Sequence, residues 1–278
     1  MATQGRFDVT HQGGVVPGLS VIIPAFNEAA RLPSTIRHII EYLENRGTSY
    51  EILIVDDGSE DDTARLVESL AQGHPHLRLI TSPCNMGKGA AVRRGMQAAR
   101  GDYQLFADAD GATPFEELAR LEAALEQGAD LAIGSRALAS HDNAYTVRAR
   151  PYRSLLGTVF NAMVRRLGVG DLSDTQCGFK LFRRSIARDL FSVSRVNGYA
   201  FDLELLYIAR LRQYRIAEVP VNWTDQPGSK VRPWRDGLIM LIEFVKVRRR
   251  EAQGIYGARY GTARLAEPSL SSAESTQF

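Results

Sequence analysis

Between residues 19 and 134 the chain alternates short apolar runs with helix-spaced segments, and this alternation limits the possible folds more than any other feature. The runs fall at 19–24, 51–55, 77–80, 103–107 and 131–134. Residues 51–55 read EILIV. That is too continuously apolar for a strand with one wet face, and it predicts a central parallel strand covered on both sides. Between the runs, Pro33 and Ser34 open a segment with Ile36, Ile39, Ile40 and Leu43 at helical spacing. Asp62 or Thr63 starts a second with Leu66, Val67 and Leu70. An Ala-rich third spans 87–99, and a fourth over 114–126 carries Leu118, Leu121 and Leu125 on one face. Four strand–helix alternations with short connections predict right-handed βαβ units. The expected class is a Rossmann-like α/β fold with a mostly parallel central sheet flanked by helices.

Where each run ends, polar residues cluster: Asn27 and Glu28, Asp56 and Asp57, Asn85, then Asp108 and Asp110. In a parallel sheet these ends share one edge, which is the ligand edge. On an extended chain Asp108 and Asp110 point to the same side. Two hard oxygen ligands suit Mg²⁺ or Mn²⁺, which keep waters and bridge phosphates; the same residues also suit a tight turn. Asp56 and Asp57 can accept from a base or a ribose hydroxyl, or can cap the next helix. Residues 85–89 (NMGKG) place bare backbone and the Lys88 cation at a helix N-terminus, which favours phosphate. The spacing is not that of a Walker A loop, and no Gly-x-Gly-x-x-Gly follows the first strand. That counts against a nicotinamide enzyme.

A net charge of +2 over 278 residues does not call for nucleic acid. Cys84 and Cys177 make no disulfide framework, suit a reducing compartment, and read as small buried apolar residues. The five histidines show no ligand spacing. Residues 1–18 are polar, without the apolar stretch of a signal peptide, and are expected to be flexible. No apolar run nears the roughly 20 residues that span a bilayer. The second half is less regular. A loop is expected over 137–150, a helix over 152–167 flanked by arginines, a short strand over 179–182 and a helix over 201–211. An edge strand is expected over 217–223, an amphipathic helix around 238–247 within a 236–251 segment, and disorder from 252 to 278.

Four segments are decisive together: Pro24-Ala25-Phe26-Asn27-Glu28, Val55-Asp56-Asp57-Gly58-Ser59, Asn85-x-Gly87-Lys88-Gly89 and Asp108-Ala109-Asp110. In order and spacing they resemble the GT-A glycosyltransferases of family 2. Gly134-Ser135-Arg136, Asp174 to Lys180 (DTQCGFK) and Pro227 to Val231 (PGSKV) resemble the polyprenyl-phosphate sugar transferases, most of all the dolichyl-phosphate β-glucosyltransferase branch. The resemblance covers about residues 19–250 and implies a GT-A domain over 19–235.

It also implies roles. Pro24, Ala25, Asn27 or Glu28, and Asp57 would surround the nucleoside, with Asp56 on the base and Lys88 near the nucleotide end. Asp108 and Asp110 would hold Mg²⁺ or Mn²⁺ on the diphosphate, Asp108 also lying near the ribose or sugar. Arg136 and Lys230 would neutralise phosphate beside Ser229, and Asp174 and Gln176 would face sugar or acceptor. The implied reaction is inverting transfer of a hexose, glucose from UDP-glucose or mannose from GDP-mannose, onto polyprenyl or dolichyl phosphate. A soluble hydroxylated acceptor stays open, and it would need Asp174, Asp202 or Glu204 as base. Mannosyl relatives often place Gln two residues after the second Asp; here that residue is Ala112. The expected protein is cytoplasmic, peripheral on the cytoplasmic membrane face. Its helices over 152–167 and 238–247 would lie either on the membrane or on the core, and Trp223 and Trp234 would serve as interface anchors or core residues.

Overall fold

The computed structural model describes residues 16–148, 170–226 and 233–257. The expected helix at 152–167, the candidate site residues Ser229 and Lys230, the side chain of Trp234, residues 1–15 and residues 258–278 lie outside them.

The first half follows the alternation. In chain order come β1 (Leu19–Ala25), α1 (Leu32–Arg46), β2 (Tyr50–Asp56), α2 (Thr63–Ala71), β3 (Leu77–Thr81), α3 (Lys88–Ala98) and β4 (Tyr103–Ala107). A 3₁₀ turn at Phe115–Glu117 leads into α4 (Leu118–Glu126), then β5 (Leu131–Ser135), the single turn α5 (Arg136–Ala139) and the short β6 (Val147–Arg148). The remainder comprises β7 (Phe179–Arg183), α6 (Arg184–Val193), α7 (Phe201–Leu211), β8 (Ile216–Pro220), β9 (Trp223–Thr224) and α8 (Pro233–Ala252).

Seven strands form one sheet in the order β3-β2-β1-β4-β7-β5-β8. All seven residues of β2 are buried, as a strand covered on both faces must be. Alternate residues feed two separate cores, because successive side chains on a strand point to opposite faces. Ile22, Leu53 and Val55 join Val92, Met96 and the α6–α7 residues. Val21, Ile23, Ile52 and Ile54 join Ile36, Ile39, Leu118 and Leu121. The sheet is parallel except for β7, which runs antiparallel between β4 and β5. Strands β4 and β5, consecutive in the alternation, are therefore not neighbours. β6 and β9 form a small parallel pair of their own.

Several expectations need adjusting. The polar stretch after residue 136 is not all loop: α5 begins it and β6 closes it. Ser135 starts α5 by accepting from the Leu138 amide. The predicted strand over 217–223 is two pieces, since Val221 turns into the core and Trp223 pairs with Val147 instead. Helix α6 was not expected, although Ile186, Ala187, Leu190 and Phe191 stand at helical spacing. Cys177 is buried, but Cys84 is exposed, because it lies in the turn beyond β3.

Helix α8 takes in the whole 236–251 segment and extends beyond the apolar 238–247 stretch at both ends, through Arg248 to Glu251, which are good helix formers. Phe244 and Val247 are fully buried, and Phe244 packs edge-to-face on Tyr207. Leu238, Ile239, Ile242 and Val245 face outward. Beyond α8 the chain stays packed: Tyr256 is 2% exposed and its hydroxyl donates to Glu204 at 2.7 Å. None of the described helices is long and apolar enough to cross a membrane.

Candidate active site

The C-terminal ends of β1, β2 and β4 open on one edge of the sheet, where a cavity of about 250 Å³ lies. Pro24, Ala25, Phe26 and Glu28 line it from β1, Asp57 from β2, and Asp108, Ala109 and Asp110 from β4. Asn85, Gly87, Lys88 and Ala91 contribute from the start of α3. Arg31, Gly198 and Tyr199 complete the wall.

The walls are braced by carboxylates. Asp57, 3% exposed, accepts from the amides of Met86 (3.0 Å) and Gly87 (2.7 Å), while its own amide donates to the Ala25 carbonyl. It therefore ties the ends of β1 and β2 to the start of α3 while still facing the cavity. Asp56 does not line it. Its carboxylate accepts from the Ser59 amide at 3.3 Å and from the Ser59 hydroxyl, which shapes the turn before α2. Asn27 also stands behind the wall, in left-handed backbone (φ 51°), its side chain accepting from the Glu60 amide at 2.7 Å. Glu28 lines the cavity and grips Arg31 through a paired contact of 2.6–2.8 Å.

Gly87 opens α3 with φ 101°, and a Cβ there would stand 2.5 Å from the Asn197 carbonyl oxygen. Only glycine allows both the conformation and the approach. The helix start offers less bare backbone than its sequence suggests. The Met86 and Gly87 amides donate to Asp57, and the Ala90 amide donates to Gly87 and Asn197. The positive charge offered to a phosphate there is the Lys88 ammonium.

Lys88 Nζ sits 2.6 Å from Asp108 Oδ1 and 5.3 Å from the centre of the Phe106 ring. Burial works to lower its pKa, but Asp108, Asp202 and Asp110 together hold it above the ordinary lysine value. Asp108 and Asp110 follow β4 in a turn rather than on extended chain, and both still reach the cavity. Asp110 accepts from the Ala112 amide at 3.1 Å. Burial, and then the Asp108 charge, push its carboxyl above the usual range. Two carboxylates crowded at a cavity mouth are a donor set that a hard divalent cation would relieve. Among the described residues no group of three or more His, Cys, Asp or Glu gathers to hold a metal. A cation here would take its other ligands from water and a bound phosphate.

Behind Asp108 lies a second layer. Its amide donates to the Gly178 carbonyl at 3.0 Å, and a Cβ on Gly178 would stand 2.0 Å from Asp108 Oδ2. Gly178→Ala is therefore expected to displace the Asp108 carboxylate and lower Mn²⁺ affinity about 10–100-fold, the usual loss when a ligand's support is disturbed. Manganese titration in the presence of UDP measures it; unchanged affinity would show that Asp108 does not hold the cation. Lys180, 1% exposed on β7, bonds Asp202 at 2.6 Å and the Cys177 carbonyl at 2.6 Å.

Arg136 and Asp174 meet away from this wall. The Arg136 amide and guanidinium bond Asp174 at 2.6–3.0 Å, and the guanidinium lies 5.3 Å from the Trp223 ring centre. Burial alone would raise the Asp174 pKa, but Arg136 holds the carboxyl well below the usual range. Gln176 donates its amide to Asp174, while its side-chain Nε2 is buried with no hydrogen-bond partner among the described residues. Through β9 this cluster adjoins the Asp110 turn: the Thr224 amide donates to the Ala112 carbonyl at 2.9 Å. Ser229 and Lys230 lie outside the described residues.

Three wall residues escaped the sequence reading. Arg31 carried a faint signal, its i,i+3 spacing from Glu28. Gly198 and Tyr199 carried none, because they come to the cavity from the turn before α7, a part of the chain without a motif.

A mixed sheet covered by helices on both faces, with a carboxylate pair at the C-terminal strand edge, is the plan of a GT-A domain. The family described as Glycosyl transferase family 2 matches residues 20–191, and the chain belongs to it. It is a glycosyltransferase resembling dolichyl-phosphate beta-glucosyltransferases. The protein of that name from Dictyostelium discoideum is 42% identical over 251 residues, covering 86% of this chain and 76% of the relative. The one from Mus musculus is 42% identical over 253 residues, covering 86% and 77%. Among solved structures, glucosyl-3-phosphoglycerate synthase from Mycobacterium tuberculosis in complex with UDP superimposes with a TM-score of 0.62 at 21% identity, covering 86% of each chain. The same enzyme has been solved with Mn²⁺, UDP-glucose and phosphoglyceric acid (TM-score 0.59, 21% identity, 85% and 86% covered).

Proposed function

We propose that this cavity binds UDP-glucose and that the enzyme transfers glucose, with inversion, to the phosphate of a polyprenyl or dolichyl lipid. The names of the 42%-identical relatives support the donor sugar and the lipid class. Pro24, Ala25 and Asp57 would flank the nucleoside, with Asn27 and Asp56 fixing the turns that carry that wall. Lys88 would meet the diphosphate, and Asp108 and Asp110 would hold Mg²⁺ or Mn²⁺, which when bound supplies positive charge against the departing diphosphate. Arg136, with Gln176 and Asp174, and with Ser229 and Lys230, would receive the acceptor.

One observation supports the choice of a phosphate acceptor: the three carboxylates named above as candidate bases for a hydroxyl are each already engaged. Asp174 is held by Arg136, and Asp202 by Lys180. Glu204, fully buried, accepts from the Arg195 and Val196 amides and from Tyr256. A phosphate needs no base, since its second pKa is about 6. Its oxygen attacks C1 of the glucose, the bond from C1 to the diphosphate breaks, and UDP leaves with the electron pair. The catalytic contribution is positioning and electrostatic stabilisation. The outward apolar face of α8 suits an interfacial helix next to a lipid substrate.

A donor screen tests the reading. UDP-glucose with polyprenyl phosphate in vesicles is expected to give metal-dependent UDP release and a glucosylated lipid. Release from GDP-mannose alone would shift the donor, and product formed only with soluble hydroxyl acceptors would overturn the lipid assignment.

A further inference from the structure

The position of Lys88 has a consequence for the order in which ligands bind. The inference rests on the reading that a diphosphate and a divalent cation meet at Asp108 and Asp110. In the structure the ammonium occupies one oxygen of a carboxylate that a cation would use, 2.6 Å from Asp108 Oδ1. The lysine side chain is only 25% exposed, and its ammonium is held in a direct ion pair with that carboxylate. Phe106, 5.3 Å away, gives its ring face to the same ammonium.

The charges decide the rest. Asp202 and Lys180 compensate each other in direct contact. Glu28 and Arg31 do the same on the cavity wall. What remains on the cavity wall is Asp57, Asp108, Asp110 and Lys88, two net negative charges, with Asp57 already taken up by the Met86 and Gly87 amides. A divalent cation arriving alone at Asp108 would stand beside the ammonium that already pairs with it, and like charges so placed repel in a partly buried site. A cation arriving with a diphosphate meets no such penalty, because phosphate oxygens can take Lys88 away from Asp108. A flexible four-carbon stem lets the ammonium make that change. The Met86, Gly87 and Ala90 amides are already engaged, and the Lys88 ammonium is the group here that touches Asp108 and can also meet a diphosphate.

We propose that Lys88 is an internal counter-cation that guards Asp108 against free divalent metal and yields it only when a nucleotide diphosphate binds. Metal and nucleotide then bind with positive linkage, and by thermodynamic necessity each raises the affinity of the other.

Calorimetric titration of the full chain with Mn²⁺, with and without UDP, tests this. Wild type is expected to bind Mn²⁺ alone weakly and far better with UDP. Lys88→Met, near in length and uncharged, is expected to bind Mn²⁺ alone on the order of tenfold more tightly, within the usual range of coupled sites, with a smaller gain from UDP. Lys88→Gln should do the same, and Lys88→Arg should stay near wild type. Equal or weaker metal-alone affinity in both neutral variants, with Mn²⁺ and UDP still binding wild type together, would overturn the counter-cation alone. Wild type that binds no Mn²⁺ even with UDP would overturn the site reading along with it. Circular dichroism of each variant confirms the fold, and either neutral variant suffices for the comparison.

Discussion

Asp110→Asn is expected to lower kcat/KM by about 10³-fold, near the upper end for removing one preorganised electrostatic group, with little effect on folding. The replacement has nearly the same shape, and its amide oxygen can still accept from the Ala112 amide, which holds the turn at 3.1 Å. What disappears is one of two negative charges crowded at the cavity mouth. Burial and Asp108 already push the Asp110 carboxyl above the usual range. A neutral residue there relieves that strain, so the thermal midpoint should hold or rise slightly while Mn²⁺-dependent UDP binding collapses. Loss of catalysis without loss of stability is the signature of a charge kept for function. Steady-state kinetics with UDP-glucose, paired with thermal unfolding, separates the two effects. A variant within a factor of a few of wild type would remove Asp110 from the metal set.

The first half of the fold was legible because parallel strands buried on both faces leave continuous apolar runs, and 51–55 shows this most clearly. The edge on which Asp57, Asp108 and Asp110 converge followed from strand direction alone. Strand β7 was legible as a strand but not as an antiparallel insertion between β4 and β5, because that pairing joins segments over 70 residues apart. Its second residue, Lys180, is a charge in the interior, which argues locally against a central strand until the Asp202 partner is seen. Helix α6 was missed despite its spacing because it starts directly from β7, with no side-chain cap.

The candidate site was legible where its residues follow strands. The structure adds a division of labour within it. Asp57 and Lys88 face the cavity, while Asp56 and Asn27 turn away to hold the loops. Adjacent acidic residues in a turn look alike in a sequence; the fold separates them, setting Asp56 on the Ser59 turn and Asp57 on the cavity wall against the start of α3. Tyr199 and the Lys180–Asp202 pair come from the second half, where only tertiary packing brings them near β4. Arg136 and Asp174 were both named, but their mutual engagement depends on the Glu218 carboxylate, which accepts from the Ser173 and Asp174 amides and fixes that loop.

Asp202→Ala is expected to destabilise the protein by about 3–5 kcal/mol, the usual cost of removing one partner from a buried ion pair. Lys180 is 1% exposed and would be left with the Cys177 carbonyl and the face of Phe106, 5.8 Å away. Neither compensates a full charge out of water. For a chain of this size the fall in Tm should be about 10 °C. The pair also sits under the site, since Cys177 and Gly178 lead directly into β7 and the Gly178 carbonyl accepts from the Asp108 amide. Loosening it should therefore weaken Mn²⁺ and UDP binding as well. The double variant Lys180→Met with Asp202→Leu discriminates a charge effect from a packing effect. Buried pairs replaced by apolar residues of similar volume are often as stable as the original, so the double variant should recover most of the loss. Chemical denaturation of wild type, Lys180→Met, Asp202→Leu and the double gives the coupling energy directly. Costs that simply add, or an Asp202→Ala penalty below about 1 kcal/mol, would mean that the pair is solvated and that the foundation of Asp108 lies elsewhere.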